Sequence, residues 1–403
     1  MDLKSGYPFW AIKNGLMHAF PPLQADLRCE VAVVGAGISG ALIADELARH
    51  GHEVVVIEER EVGWGSTAAS TALLQYEIDT SMVDLAKQYG EADAALAYRA
   101  CAEAIPMLQA LASEIRDVDF ARMRSLYYAS KARHVGAMQD ELALRRQYGF
   151  AVRWLGADAL RDEYGIDAPG AILSALAARI DPYRLAYRLL ARLRTRGTAV
   201  YDRTRIDHLV ATARGVTLHT DYGHRVHARH VVMATGYAAQ RWLKQRVASN
   251  RSSYAYVTDP IDDAALGELR RTMVWESARP YLYLRSTGDG RLVVGGEDDA
   301  VDVPARRDAR VQAKSKRLMK KLHRQFPHLD VTPTFAWAGT FAETEDGLPF
   351  IGAHSQYGAR VLFAMAYGGN GITYSMAGAP LLRALIERRR HPLAPLFGFD
   401  RLK

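Results

Sequence analysis

The sequence has few cysteines and no long apolar run, and both shortages narrow the class of protein. Two of the 403 residues are cysteines, Cys29 and Cys101, so a disulfide framework is excluded and a reducing compartment is expected. No window approaches the roughly 18 uninterrupted apolar residues of a membrane-spanning helix, and the first residues lack the apolar stretch of a signal peptide. These absences predict a soluble cytoplasmic protein without a membrane span.

Metal-ligand and nucleic-acid motifs are also missing. His224, His227 and His230 have ligand-like spacing, but in an extended chain His227 faces away from the other two, so no metal site is predicted. The net charge of +7 comes from 52 basic and 45 acidic residues, and its arginine clusters suit the negative ends of helix dipoles. No nucleic-acid partner is therefore expected, and the sequence leaves the oligomeric state open.

What is present is the pattern of a large α/β protein. A buried strand ("CEVAVVGAG"), a helix from Ile38 to His50 and a second strand ("HEVVVIEE") predict a parallel pair with a right-handed crossover. A helical region from Ser81 to Glu114 follows, with a kink expected at Pro106. Later runs such as "SSYAYVTD", "PYLYLRS" and "GRLVVGG" are β-rich and punctuated by glycine, as in an antiparallel sheet.

The predicted fold class is α/β, α+β overall, with a Rossmann-like nucleotide-binding domain on a parallel sheet and a substrate domain on a mostly antiparallel sheet. The nucleotide-binding domain is expected to be discontinuous, because the β-rich segments interrupt it. The predicted division is 27–117, 167–246 and 344–403 for the nucleotide-binding domain, 118–166 and 247–343 for the substrate domain, and 1–26 for an N-terminal arm.

A glycine pattern near the start of the chain carries the first functional signal. Gly35, Gly37 and Gly40 form G-x-G-x-x-G between strand and helix, where they allow a tight turn, approach of a pyrophosphate and close helix packing. Glu58 ends the second strand, 18 residues after Gly40, where its carboxylate can accept hydrogen bonds from ribose hydroxyls. The pattern predicts a dinucleotide site, against the alternative of a structural glycine turn, and does not separate NAD from FAD.

Four further motifs occur in one order: "EVGWGSTAAST", "RHVVMATGY", "ETEDGLPFIG" and "YGGNGITYS". With the first glycine loop they resemble the D-amino-acid-oxidase-like (DAO) family of FAD flavoproteins, which includes glycine oxidase, sarcosine oxidase and γ-glutamylputrescine oxidoreductase. The resemblance covers about Glu30 to Glu387. It implies FAD as cofactor, and oxidation of a C–N bond of a small amine or amino acid by hydride transfer to flavin N5, followed by imine hydrolysis.

The resemblance also assigns FAD-binding positions. The second glycine motif, which opens a helix, would point backbone N–H groups at the N1/C2-carbonyl edge of the flavin, and the other positions would lie near the pyrophosphate or the flavin. Plain helix capping by Ser66 and Thr67, or close packing of a glycine-rich helix start, is the alternative. The implied positions are Gly65, Ser66, Thr67, Ala234, Gly236, Gly369, Asn370, Gly371, Ile372 and Thr373.

The FAD is expected to be non-covalent. No histidine lies between His52 and His134, neither cysteine is in the C-terminal half, and Gly339 stands where sarcosine oxidases attach flavin.

The substrate side departs from the family pattern. Phe341 falls where glycine oxidase-like enzymes have an arginine for the substrate carboxylate, and Thr373 where sarcosine oxidase-like enzymes have a lysine. The basic residues that hold the carboxylate of an α-amino acid in these enzymes are therefore missing. Sarcosine oxidase-like enzymes also have a lysine that activates oxygen, and Val293 stands at about that position here, which slightly favours a dehydrogenase.

Alternation on two strands offers other pocket residues. Tyr281, Tyr283 and Arg285 share one strand face, as Tyr254 and Tyr256 do on another. The hypothesis is a catalytic pocket in which Tyr254, Tyr256 and Tyr283 form an aromatic cage and Arg285 grips an acidic group. The alternative is an exposed or interface sheet face rich in tyrosine. Glu297 is a candidate amine-binding carboxylate, although a solvated turn acid fits it better.

Other functions stay open on the sequence alone. A flavin dehydrogenase of a hydroxy acid is one, and a flavin-containing subunit that relays electrons or scaffolds a larger complex is another. An NAD enzyme without flavin would require the C-terminal resemblance to be accidental.

Overall fold

The structure is a computed structural model that describes residues 2–365 and 367–402. Met1 of the predicted arm, and Ala366 and Lys403 of the predicted nucleotide-binding domain, lie outside the described residues.

The strands are β1 (Leu27–Val34), β2 (Val54–Ile57), β3 (Leu73–Gln75), β4 (Ala121–Tyr128), β5 (Val152–Gly156), β6 (Gly170–Arg179), β7 (Ala199–Tyr201), β8 (Ile206–Ala211), β9 (Val216–Thr220), β10 (Arg225–Met233), β11 (Ser249–Thr258), β12 (Thr272–Glu276), β13 (Leu282–Ser286), β14 (Leu292–Asp299), β15 (Pro333–Glu343), β16 (Phe350–Ala353) and β17 (Val361–Met365).

The α-helices are α1 (Phe9–Asn14), α2 (Ile38–Arg49), α3 (Ser66–Ala69), α4 (Met82–Tyr89), α5 (Glu91–Ile115), α6 (Val135–Gln147), α7 (Ala157–Tyr164), α8 (Pro182–Thr195), α9 (Asp263–Leu266), α10 (Pro304–Asp308), α11 (Val311–Gln325), α12 (Gly371–Ile386) and α13 (Ala394–Phe397), and short 3-10 helices span Ala132–His134, Gly236–Trp242, Gly267–Arg270 and Phe399–Leu402.

The first sheet has the parallel core that the sequence predicts. Its eight strands run β16-β17-β10-β1-β2-β7, and the β8–β9 hairpin attaches beside β10. β1 pairs in parallel with β2 and β10, and β10 with β17. All four residues of β2 are buried, because layers cover both faces of the sheet, as is usual for parallel strands. On one face α2 packs against α8 and α12.

The second sheet has nine strands in the order β15-β11-β14-β13-β12-β4-β6-β3, with β5 beside β6. The β4–β12 pair is parallel, and the other pairs recorded in this sheet are antiparallel. One face packs on α11, where buried leucines of the helix meet side chains of β11, β13 and β14. The fold class predicted from the sequence, with its two kinds of sheet, is confirmed.

Two strands cross the predicted domain boundaries. β3 and β6 belong to segments assigned to the nucleotide-binding domain, yet both pair within the second sheet. The boundaries themselves stay a prediction. In the predicted long helical region the chain is interrupted at Gly90, whose φ is +86°, and α5 continues through Pro106.

The N-terminal segment packs onto the body of the protein. Thr340 in β15 donates its backbone N–H to the carbonyl of Leu3 at 2.8 Å. Trp10 in α1 is fully buried, and its indole Nε1 donates to the carbonyl of Ser70 at 2.7 Å. Among the helices of residues 2–365 and 367–402, none combines the length and apolar character that crossing a membrane requires. Over the same ranges, no cluster of three or more His, Cys, Asp or Glu side chains could hold a metal ion.

Candidate active site

The first glycine loop joins β1 to α2 with almost no spare space. Gly35 has φ +109°, and a Cβ there would lie 2.3 Å from the carbonyl oxygen of Ala234. A Cβ on Gly40 would lie 1.8 Å from the carbonyl oxygen of Gly35, so this glycine lets the helix pack onto the loop. A Cβ on Gly37 would approach only the Thr67 hydroxyl, at 2.9 Å. Gly37 is therefore the open side of the loop, where a ligand can approach the backbone.

Glu58 follows β2 directly and is tied to the same loop. Its carboxylate accepts hydrogen bonds from the backbone N–H of Ala36 at 2.7 Å and of Arg60 at 3.0 Å. Burial raises the pKa of Glu58, and these two N–H donors oppose the rise. A carboxylate has about four lone-pair positions, so further acceptor capacity is left for a ribose hydroxyl.

The segment after Glu58 packs against the start of α2. Gly65 precedes α3, and the short helix has no side-chain cap, so Ser66 and Thr67 do not cap their own helix. The Thr67 hydroxyl accepts instead from the N–H of Ile38 at 2.9 Å, while the Ser66 hydroxyl donates to the carbonyl of Thr340 at 3.4 Å. Both side chains hold the loop between the two sheets.

The "ATG" segment follows β10 on the other side of the first glycine loop. Ala234 donates its N–H to the carbonyl of Val34 at 2.8 Å, which fixes its approach to Gly35. Gly236 has φ +56°. Between them, the Thr235 hydroxyl is buried without a hydrogen-bond partner in the described part of the chain. Because buried hydroxyls are normally paired, this side chain fits a bound polar ligand.

The second glycine motif precedes α12. The Asn370 side-chain amide donates to the carbonyl of Glu77 at 2.9 Å, and the Thr373 hydroxyl donates to the carbonyl of Asn370 at 3.0 Å. The first N–H groups of α12, starting at Gly371 and Ile372, belong to the positive end of a helix dipole. The N–H of Gly369 donates to Asp79 at 3.0 Å, a carboxylate that no sequence motif indicates as part of the site.

The two glycine motifs meet. The hydroxyls of Ser39 in α2 and Ser375 in α12 are 2.7 Å apart, so the two helices begin side by side. A single cavity of about 430 Å³ is lined by residues of both motifs. Gly40 is the one predicted cofactor-binding residue that does not line it, in keeping with its packing role. The lining set is Gly35, Gly37, Glu58, Gly65, Ser66, Thr67, Ala234, Gly236, Gly369, Asn370, Gly371, Ile372 and Thr373.

The second sheet forms the opposite wall of the cavity. Tyr281 and Tyr283 both line it, and the ring of Tyr283 lies over Gly295, where a Cβ would be 2.4 Å from ring atoms. The hydroxyls of Tyr283 and Ser253 are 3.2 Å apart. Burial raises the pKa of Tyr283 to about 12, so the phenol is neutral at physiological pH.

Tyr254 and Tyr256, two of the tyrosines predicted to line the pocket, lie on the face of this sheet that points away from the cavity. Tyr254 and Tyr256 are fully buried against α11, and the Tyr254 hydroxyl donates to Asp299 at 3.3 Å. Their strand neighbours Ser253 and Ala255 line the cavity instead. The expectation that Tyr254 and Tyr256 share a face is right, but that face is apolar core, because α11 covers this side of the sheet.

The prediction that Arg285 binds an acidic group of the substrate is also wrong. Its side chain is fully buried at 5.3 Å from the ring of Trp10. The guanidinium donates to three backbone carbonyls, those of Thr71 at 2.7 Å, Ile180 at 3.0 Å and Ser286 at 3.1 Å. Arg285 therefore binds the N-terminal helix and neighbouring loops together, and does not reach the cavity.

An unforeseen carboxylate, Asp298, lines the cavity. Glu297, the candidate considered from the sequence, lies on the other face, 2.7 Å from Lys321 and 3.7 Å from Lys314. A shift in the β11–β14 register at this point, with Gly296 at φ +130°, reverses the alternation of side chains. The sequence run "GGEDD" indicates a carboxylate at this position, but which of its acidic side chains faces the cavity depends on this bulge.

Comparisons with known proteins agree with this geometry. Residues 30–385 match the family described as FAD dependent oxidoreductase (DAO). Glycine oxidase of Geobacillus kaustophilus is 29% identical over 380 residues, which is 90% of this chain and 94% of the relative. Gamma-glutamylputrescine oxidoreductase of Escherichia coli is 26% identical over 395 residues, 94% of this chain and 89% of the relative.

Solved structures share the fold. The crystal structure of glycine oxidase from Geobacillus kaustophilus has a TM-score of 0.77 at 22% identity and covers 93% of this chain and 99% of that one. L-proline dehydrogenase from P. horikoshii has a TM-score of 0.78 at 18% identity, with 94% and 99% covered. The family resemblance and the FAD cofactor expected from the motifs are confirmed.

Proposed function

The chain belongs to the DAO family of FAD-dependent oxidoreductases, and we propose that it oxidises a C–N bond of a small amine or amino acid. The names of its relatives, glycine oxidase and gamma-glutamylputrescine oxidoreductase, support this reaction type. When bound, FAD supplies the acceptor for the hydride that leaves the carbon beside nitrogen. The resulting imine is then hydrolysed by water.

We propose that the residues around the first glycine loop hold the phosphate and ribose end of FAD. The open side of Gly37 and the unpartnered hydroxyl of Thr235 support a pyrophosphate between them. Glu58, with acceptor capacity to spare, would take a ribose hydroxyl. The start of α12 at Gly371 would stabilise negative charge on the pyrimidine edge of the flavin, worth about 0.3–2 kcal/mol.

One observation carries the proposal: a single cavity connects both glycine motifs to a wall of tyrosines and a carboxylate on the second sheet. A substrate held against Tyr281 and Tyr283 would be oriented and shielded from water by these side chains, and positioning of this kind supplies much of the rate in such a reaction. No cysteine or histidine occurs among the described residues of the cavity wall, which supports non-covalent FAD.

We also propose that the first sheet forms the body of the FAD-binding domain and the second sheet the body of the substrate domain. β3 and β6, which pair in the second sheet, would then connect the two. Both cysteines are free thiols, which supports the expected cytoplasmic location.

The test is a visible spectrum of the purified protein, repeated without oxygen as amines, amino acids and hydroxy acids are added. We expect a flavin spectrum that bleaches with at least one amine or amino acid. Bleaching by a hydroxy acid alone would replace this function with a hydroxy-acid dehydrogenase. A flavin that none of the compounds bleaches would contradict substrate oxidation and favour an electron-relay subunit.

A further inference from the structure

Asp298 is a carboxylate in the cavity whose charge is not matched. Its Oδ1 atom is buried and has no hydrogen-bond partner within residues 2–365 and 367–402. Its neighbours on the wall are neutral: β14, which carries Asp298, lies between β11 with Ser253 and β13 with Tyr283, and Tyr281 directly precedes β13. An ionised carboxylate in such a place is unfavourable unless a cation or hydrogen-bond donor joins it.

Nearby carboxylates further disfavour the ionised form of Asp298. Burial raises the pKa of Asp298 to about 6, the hydroxyls of Ser253 and Tyr281 moderate the rise, and the carboxylates of Asp79 and Glu343 add to it. Asp79 also lines the cavity. In the described part of the chain, no lysine or arginine forms an ion pair with Asp298 or Asp79. The cavity therefore presents two carboxylates that lack a cationic partner from the protein.

Three of the four arginines on the described cavity wall form ion pairs with carboxylates other than Asp298 and Asp79, and the fourth is exposed to solvent. Arg145 pairs with Glu141 at 2.8 Å, Arg60 and Arg241 approach Glu59, and no lysine is found among the described lining residues. Arg279 is exposed, and its guanidinium lies 4.4 Å from the ring centre of Tyr281.

We propose that Asp298, aided by Asp79, binds the ammonium group of a cationic amine substrate, so that this enzyme selects amines by positive charge. The inference rests on the proposed function and deepens it. The electron-rich ring of Tyr283 suits the same cation, whereas the ring of Tyr281 already contacts the Arg279 guanidinium. An alkylamine or diamine satisfies this site, whereas a substrate recognised through its carboxylate would face two like charges.

The test compares two neighbouring carboxylates on β14. Asp298→Asn removes one of the two unpaired carboxylate charges from the cavity. Asp299→Asn is the matched control, because Asp299 lies outside the cavity wall and binds Arg310 at 2.8 Å. The FAD-bound protein is titrated with butane-1,4-diamine, n-butylamine, 1-butanol and butyrate under air-free conditions. Binding is measured from the shift of the flavin spectrum, and reduction from its bleaching.

We expect both amines to bind at least tenfold more weakly to Asp298→Asn and within about twofold of wild type to Asp299→Asn. Butanol and butyrate should bind weakly to all three proteins. Unchanged amine affinity in Asp298→Asn, or tighter binding of butyrate than of butylamine to the wild type, overturns the ammonium site. Amines that bind without bleaching the flavin contradict the proposed amine oxidation but leave this site standing.

A pH titration of the wild type tests the site without any substitution. Protonation of Asp298 below about pH 6 removes its charge, so amine affinity should fall about tenfold from pH 7 to pH 5. The other charged or titratable groups around it are Asp79, Glu343, Tyr281, Tyr283 and Arg279. A flat profile over this range overturns the assignment even if the Asn variant fails to fold.

Discussion

The two ends of the cavity are built on different principles. The end proposed to hold FAD is built largely from backbone brought close by glycine: Gly35, Gly37 and Gly371 line it without side chains. The end proposed to hold the substrate is built from side chains on one face of a sheet, such as Tyr283 and Asp298. A glycine motif between a strand and a helix is informative from local sequence because tight turns and close backbone approaches need residues without a side chain. A residue on a strand takes its role from the face it occupies, which its neighbours in sequence do not decide.

The largest effect is expected where the cofactor end is tightest. Gly40→Ala places a methyl group against the carbonyl of Gly35, where the space is 1.8 Å, and backbone cannot move aside as a side chain can. We expect a loss of about 3 kcal/mol in the free energy of unfolding, measured by denaturant titration. Gly136→Ala is the control, because Gly136 lies in α6 with nothing within 4 Å of an added Cβ. Equal stability of the two variants would contradict the close packing of α2.

Within the same motif, we expect a substitution of Gly37 to weaken FAD binding without preventing folding. A side chain at this position meets only the Thr67 hydroxyl and otherwise enters the cavity, so Gly37→Val should fold. We expect it to bind FAD at least 100-fold more weakly, or about 2.7 kcal/mol, because the valine occupies the approach of the pyrophosphate. Fluorescence of FAD released on dialysis measures this. Full flavin content in a folded Gly37→Val protein would remove Gly37 from the cofactor site.

The same contrast explains how much could be read from the sequence. Residues of the first glycine loop, Glu58 and the second motif line one cavity, and local pattern defines their positions because each lies at a strand end or helix start. Their roles in binding FAD stay a prediction. Arg285 was misassigned although it shares a strand face with Tyr283. Its end of that face is covered by Trp10 of the N-terminal segment, a contact between residues 275 positions apart in the chain. No local pattern carries that information.

Arg285 provides the third comparison, because it was predicted for the substrate end and is structural. Arg285→Met keeps the apolar stem and leaves three carbonyls without their donors. We expect the free energy of unfolding to fall by about 2 kcal/mol, with the KM for amine substrates unchanged in the folded fraction. Arg271→Met, on an exposed side chain paired with Glu268, should change stability by less than about 1 kcal/mol. A several-fold rise in KM without loss of stability would return Arg285 to the substrate site.

The smallest expected effect comes from comparing tyrosines on the two faces of the second sheet. Tyr283→Phe removes a cavity hydroxyl that lies 3.2 Å from Ser253, and we expect the KM for an amine to change about threefold to tenfold, since one hydrogen bond is worth about 1 kcal/mol. Tyr254→Phe removes a hydroxyl on the opposite face, and should lower stability slightly while leaving KM unchanged. Because the Tyr283 pKa of about 12 keeps its phenol neutral at neutral pH, the difference cannot come from its ionisation. Kinetics that respond to Tyr254 and not to Tyr283 would mean that the cavity face has been assigned to the wrong side of the sheet.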